Sequence, residues 1–207
     1  MPLSCAPRSN PCSCEVRVTP MYYNGSQVGD DKVRWSLKWW PHQLEAGHCG
    51  ALIAIGLNPS TASAEAGRVT LDPTLRRLEA LRRREGLACV VMLNVWPIRA
   101  TDPAGLGAWL SGNRHDHAHV TLQGETVWAH AVCNDPPRVW LPCWGAWQPS
   151  GTLARYRHRQ AIAAATESLR RLRSVGTDRV VCLGRTSTGQ PRHPLYTRAD
   201  APLEPWP

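Results

Sequence analysis

Phenylalanine is absent from the 207 residues, lysine occurs only twice, and no apolar run approaches the ~18 residues that a bilayer crossing needs. The last absence excludes a single-helix membrane span. The stretch Met1 to Pro20 is rich in proline and cysteine and carries no apolar signal-peptide core, so a cytoplasmic protein is expected. No internal repeat is visible, and no Cys-x-x-Cys pair gives the spacing of an ordinary zinc knuckle. Ten tryptophans take the place of the missing phenylalanines. A hydrophobic share of 43% against 19% charged is a globular composition and excludes wholesale disorder.

Acidic residues are outnumbered, 16 against 24, which leaves a net charge of +8. Nearly all of the positive charge is arginine, whose planar fork binds phosphate bidentately, so the balance suits a polyanionic partner such as DNA or a nucleotide. A biased genome produces the same arginine excess, and charge alone does not decide between the two.

Cys89 and Cys182 lie inside apolar runs, where a thiol behaves as a small hydrophobe. Cys5, Cys12 and Cys14 cluster, and with Cys49 they make up a four-thiol set, yet the Cys-x-Cys spacing argues against a metal knuckle. His115, His117 and His119 alternate and would diverge on a helix, which fits surface histidines. No metal and no cofactor are expected.

Four short apolar runs punctuate the chain: Ala51 to Leu57, Leu87 to Val95, Val139 to Cys143 and Arg179 to Leu183. Runs of this kind fit strands buried on both faces. Between them Asp72-Pro73 reads as an N-cap and first helical residue, followed by Leu75, Leu78 and Leu81 on one face and closed by Gly86. A second helical pattern runs from about Leu153 to Val175, a third from Asp116 to Val132, and Asp102-Pro103 reads as another helix start. Arg34 to Trp39 alternates with period two and reads as an antiparallel edge strand. The expectation is a three-layer α/β/α sandwich with a four-stranded, mainly parallel central sheet in a single domain over residues 24–207, preceded by a tail or edge segment over 1–23.

Ligands of such sheets bind beyond the carboxyl ends of the strands. There the chain places Asn58-Pro59-Ser60-Thr61, Asn94 to Arg99, Trp144-Gly145, and Gly184 to Gly189 leading to His193-Pro194. An asparagine on a stiff pre-proline turn can position a water, although closing its own turn is the commoner use of such a residue. Asn94 offers a donor and an acceptor that match a pyrimidine edge. A neutral His193 can stabilise a developing oxyanion, and Arg185 with Thr186, Ser187 and Thr188 can embrace a phosphate.

Taken together, these residues resemble the uracil-DNA glycosylase superfamily. Its members carry Gly-x-Asn-Pro or Gly-x-Asp-Pro after the first strand, in some branches Leu-Asn after the second, then Trp-Gly and His-Pro after the third and fourth. Gly56-Leu57-Asn58-Pro59, Leu93-Asn94, Trp144-Gly145 and His193-Pro194 stand in those places. More narrowly, Leu57 to Ala62, Asp72 to Arg77, Asn94 with Arg99 to Pro103, Trp144-Gly145 and Gly189 to Tyr196 resemble a bacterial and phage family, domain-of-unknown-function family 1643, over about Val33 to Trp206.

The resemblance implies a glycosylase-like fold and a DNA N-glycosidase-like hydrolase acting on a pyrimidine base, modified or not. Asn58 would orient the water, Asn94 would select the base together with Trp96 and Trp144, and His193 would stabilise the departing base. Ser60, Thr61, Arg99, Arg185, Thr186, Ser187 and Thr188 would hold the nucleic acid. Such chemistry needs a nucleotide flipped from its stack. Two departures stand out: the wedge loop reads His193-Pro194-Leu195-Tyr196 rather than His-Pro-Ser-Pro, and Asn58 replaces the aspartate of the fastest members and cannot act as a base. The alternatives are a non-catalytic reader of nucleic acid using the same pocket, and an enzyme on free nucleosides or nucleotides.

Overall fold

The computed structural model describes residues 23–60, 62–112, 138–174 and 178–207. Thr61, the cysteines of the first 22 residues, the His115–His119 run and the expected helix over 116–132 lie outside them.

The four apolar runs become strands β3 (Ala51–Gly56), β6 (Cys89–Asn94), β7 (Arg138–Pro142) and β8 (Asp178–Cys182). They are adjacent and mutually parallel in the order β6-β3-β7-β8. The sheet does not stop there. With β1 (Tyr23–Gly29), β2 (Arg34–Pro41), the two-residue strands β4 (Ala64–Glu65) and β5 (Arg68–Val69), and β9 (Glu204–Pro205), it runs β4-β5-β1-β2-β6-β3-β7-β8-β9.

The expected four-stranded, mainly parallel sheet is therefore wrong. The sheet has nine strands and is mixed, with antiparallel pairings in the majority. The added strands are short, or half exposed with polar and glycine residues, so they lack the continuous apolar signature that reveals a strand buried on both faces. β2 is likewise no edge strand. It pairs with β1 on one side and β6 on the other, and its alternation turns Leu37 and Trp39 fully inward.

Three helices are seen among the described residues: α1 (Pro73–Arg84), α2 (Pro103–Ser111) and α3 (Thr152–Ser174). α1 begins as the sequence dictates, with the Asp72 carboxylate accepting from Leu75 N at 2.8 Å. It lays Leu75, Leu78 and Leu81 on one sheet face, against Leu52, Ala54, Val90 and Met92. α3 sets Ala165 and Leu169 against Ala51, Ile53 and Ile55 on the other face. α2 starts on an Asp102 cap and packs Leu106 and Leu110 with Trp96 and Ala154 in a smaller cluster. None of the described helices is long and apolar enough to cross a membrane.

A buried ion pair ties α1 to β2. Arg82, fully buried, clasps Glu79 through Nε and Nη2 at 2.9 Å each, and Trp39 Nε1 donates to the same carboxylate at 3.2 Å. Breaking such a pair from one side strands a charge. Glu79→Ala is expected to cost ~3–5 kcal/mol in urea unfolding, while Glu79→Leu combined with Arg82→Met recovers most of the loss. A Glu79→Ala protein as stable as the parent would contradict this reading of the pair.

Candidate functional site

β3 and β6 run in parallel register until Gly56 stands opposite Asn94. A Cβ on Gly56 would lie 2.5 Å from Met92 Cε and 3.0 Å from the Asn94 amide, so a side chain there would displace the Met92 tip and crowd that amide. Asn94 is 6% exposed, and with its nitrogen turned to the neighbouring carbonyls Nδ2 donates to Leu93 O and Asn58 O, both at 3.2 Å. It thereby stitches the end of β6 to the Asn58 turn. Main-chain bonds continue the seam: Val95 N to Gly56 O, Trp96 N to Leu57 O and Ala100 N to Pro59 O.

Asn58 is half-buried and rigidly held. Its Nδ2 donates to Ala100 O at 2.6 Å and to Pro59 O at 3.2 Å, which uses both amide hydrogens. Among the described residues nothing donates to its Oδ1, which is left as an oriented acceptor. Ser60 follows, its hydroxyl donating to Asp72 Oδ2 at 2.7 Å. Asp72 thus caps α1 with one oxygen and anchors the Asn58–Ser60 turn with the other.

His193 reaches the same edge from the loop after β8. Leu195 N donates to its Nδ1 at 3.4 Å, so the ring hydrogen sits on Nε2, which has no protein partner among the described residues. Burial pushes its pKa below the ordinary histidine value, and the nearby Asp72 charge offsets this only in part. The ring is accordingly neutral at pH 7. The loop is fastened to the end of β7: Trp144 Nε1 donates to Gln190 Oε1 at 2.8 Å and Gly145 N to Pro191 O at 3.0 Å.

Asn58, Ser60, Asp72, Asn94 and Arg99 therefore stand on the segments joined beyond the carboxyl ends of β3 and β6, and His193, beside Gly145 at the end of β7, feels the charge of the same Asp72. Trp96 and Trp144 do not present open faces there. Trp96 is buried in the small cluster, edge-on to Trp109, and Trp144 is buried against Trp206. The Thr186 hydroxyl is drawn into the loop's own bonds, to Thr188 Oγ1 and Gln190 N, while Arg185 and Ser187 remain exposed at the tip. Thr61 lies outside the described residues.

Arg34 escapes the sequence reading of the site, and Asp72 reads there as a helix cap first and a site residue second. Asp72 had a complete explanation as a helix cap. Arg34 gave only one signal, a charged residue at the head of an otherwise inward-alternating strand. Among the described residues no group of three His, Cys, Asp or Glu side chains gathers as a metal site.

These features define an α/β protein whose mixed sheet carries a polar, carboxamide- and imidazole-bearing site at the carboxyl ends of its parallel strands. The chain belongs to the family described as protein of unknown function (DUF1643), which matches residues 34–195. No curated protein and no solved structure matches it.

Burial lowers the pKa of His158 as well as that of His193. Just below the ordinary histidine pKa of about 6.5 the unfolded chain then binds more protons than the folded one, so stability is full above that value and declines as pH falls beneath it. Asp30 and Glu167, whose carboxyls are held below their usual values, titrate at lower pH than this window. Urea midpoints at pH 7.5, 6.5 and 5.5 are expected to be level over the first interval and to drop over the second, with the drop reduced in His158→Leu. A midpoint that is flat or rising toward pH 5.5 would contradict the assignment.

Proposed function

We propose that the protein hydrolyses the N-glycosidic bond between a pyrimidine-type base and its sugar in DNA. The observation that carries the reading is the pairing, at one edge, of a locked carboxamide with an unengaged oxygen at Asn58 and a neutral imidazole with a free Nε2–H at His193. The motif resemblance to the uracil-DNA glycosylase superfamily supports the same assignment.

In the proposed reaction a water held by Asn58 Oδ1 adds to the sugar C1′ while the C1′–N bond breaks. The bonding electron pair leaves with the base, and His193 Nε2–H stabilises the charge that develops on the base oxygen. Asn58 accepts no proton, so the water's proton passes to solvent or to the released base. The Asn94 amide acts mainly by fixing the Asn58 turn.

Access to a flipped nucleotide is supported by the turn next to His193, where Leu195 is 41% and Tyr196 80% exposed, large side chains suited to fill the gap left in a base stack. The arginine excess supports attraction to the phosphate backbone.

Oligonucleotides bearing uracil, mismatched or hypermodified pyrimidines, followed by alkali, test the proposal. Strand scission at one of these bases is expected, with Asn58→Ala and His193→Gln each slowing it by roughly 10²–10³-fold in protein that remains folded, Asn58→Ala with about 1 kcal/mol of lost stability from its bond to Ala100 O. Intact strands across the panel, alongside salt-dependent binding that Asn58→Ala leaves unchanged, would overturn hydrolysis in favour of a non-catalytic reader.

A further inference from the structure

Arg34, at the head of β2, is 1% exposed. Its Nη1 donates to Ala62 O, but its Nε is buried without a partner. Arg99 lies beside it: Nη1 donates to the same Ala62 O at 3.4 Å, Nη2 donates to Gln27 Oε1 at 3.1 Å, and Nε is again buried without a partner. Two guanidinium groups thus share one carbonyl. Among the described residues no carboxylate stands within ion-pair distance of either. The other well-buried arginines are treated differently, since Glu79 clasps Arg82 and Asp178 clasps Arg138.

Burial and the neighbouring Arg99 charge push the Arg34 pKa down to about 10, against a weaker opposing pull from Asp72. A buried cation next to another cation is unfavourable unless something negative completes the arrangement. The position is informative too. Ala100, next to Arg99, supplies the carbonyl that fixes the Asn58 amide, and Ala62 lies just past the Asn58–Ser60 turn.

We propose that Arg34 and Arg99 form a phosphate-binding subsite adjoining Asn58, with Arg99 making the contact and Arg34 supplying a fixed, poorly screened second charge behind it. A tetrahedral oxyanion accepts from the half-buried Arg99 guanidinium in more than one direction, and its charge balances that of the closed Arg34 behind it. The phosphate is either the terminal monoester of a nucleotide or a diester of the nucleic-acid chain. Placing it within the substrate rests on the nucleobase-processing reading; the existence of the anion site does not.

The test compares wild type, Arg99→Gln and Arg34→Met. Inorganic phosphate is expected to raise the Tm of wild type above that in sodium chloride at matched ionic strength, and to do so in neither variant. Arg34→Met, relieved of an unpaired buried charge, is expected to melt no lower than wild type in phosphate-free buffer.

Calorimetry with uridine, uridine 5′-monophosphate and a short oligonucleotide lacking a terminal phosphate then distinguishes the sources. A gain of about tenfold or more for the monophosphate over uridine, lost in Arg99→Gln, assigns the monoester. Oligonucleotide binding weakened to a similar extent in Arg99→Gln, with monophosphate and uridine binding alike, assigns the diester.

A phosphate response that is absent from wild type, or that persists in Arg99→Gln, overturns the subsite. Loss of glycosidase activity across the oligonucleotide panel with the phosphate response intact strikes the catalytic reading and leaves the subsite standing.

Discussion

The bare Cα of Gly56 sets the geometry of the site. It ends β3 opposite Asn94, and a side chain there would meet the tip of Met92 first and then crowd the Asn94 amide. From that position the amide reaches back to the Asn58 carbonyl, and the chains leaving β3 and β6 are laid side by side. Ala100 can then fix the Asn58 carboxamide, and Arg99 is brought next to Arg34. A buried amide costs stability unless its hydrogens are placed, and here placing them also orients the Asn58 carboxamide oxygen.

Asp72 carries the second constraint. One carboxylate oxygen caps α1 and the other holds Ser60, so the helix that covers one sheet face is registered against the turn that carries Asn58. Its charge acts on both His193 and Arg34, and in each case it offsets only part of the effect of burial. Asp72 near Arg34 and Asp30 near Arg99 act on the two guanidinium groups only from a distance, with neither forming an ion pair to them, so the Arg34 Nε is left without a partner for its buried hydrogen.

The parallel strands and the two long helices could be read from the chain because their signals are local: unbroken apolar runs for β3, β6, β7 and β8, and Asp-Pro caps with periodic leucines for α1. The antiparallel flank was not legible in this way. Gly25 and Gly29 interrupt β1, and β4, β5 and β9 are two residues each, so their pairing depends on partners distant in the chain rather than on pattern. The site divides along the same line. Asn58 and His193 stand out by their neighbours in sequence, whereas the pairing of Arg34 with Arg99 spans β2 and the segment after β6 and appears only once the sheet is assembled. Trp96 and Trp144 show the converse, since residues next to a site in sequence were taken into the core.

The central claim is that one edge of the sheet holds a nucleobase against Asn58 and His193 with its phosphate at Arg99. A crystal structure of the protein soaked with a pyrimidine nucleoside monophosphate tests this most directly. The base is expected within hydrogen-bond distance of His193 Nε2, with the phosphate on the Arg99 guanidinium. A ligand seated on another face, or an edge that stays free of it at saturating concentration, would contradict the account.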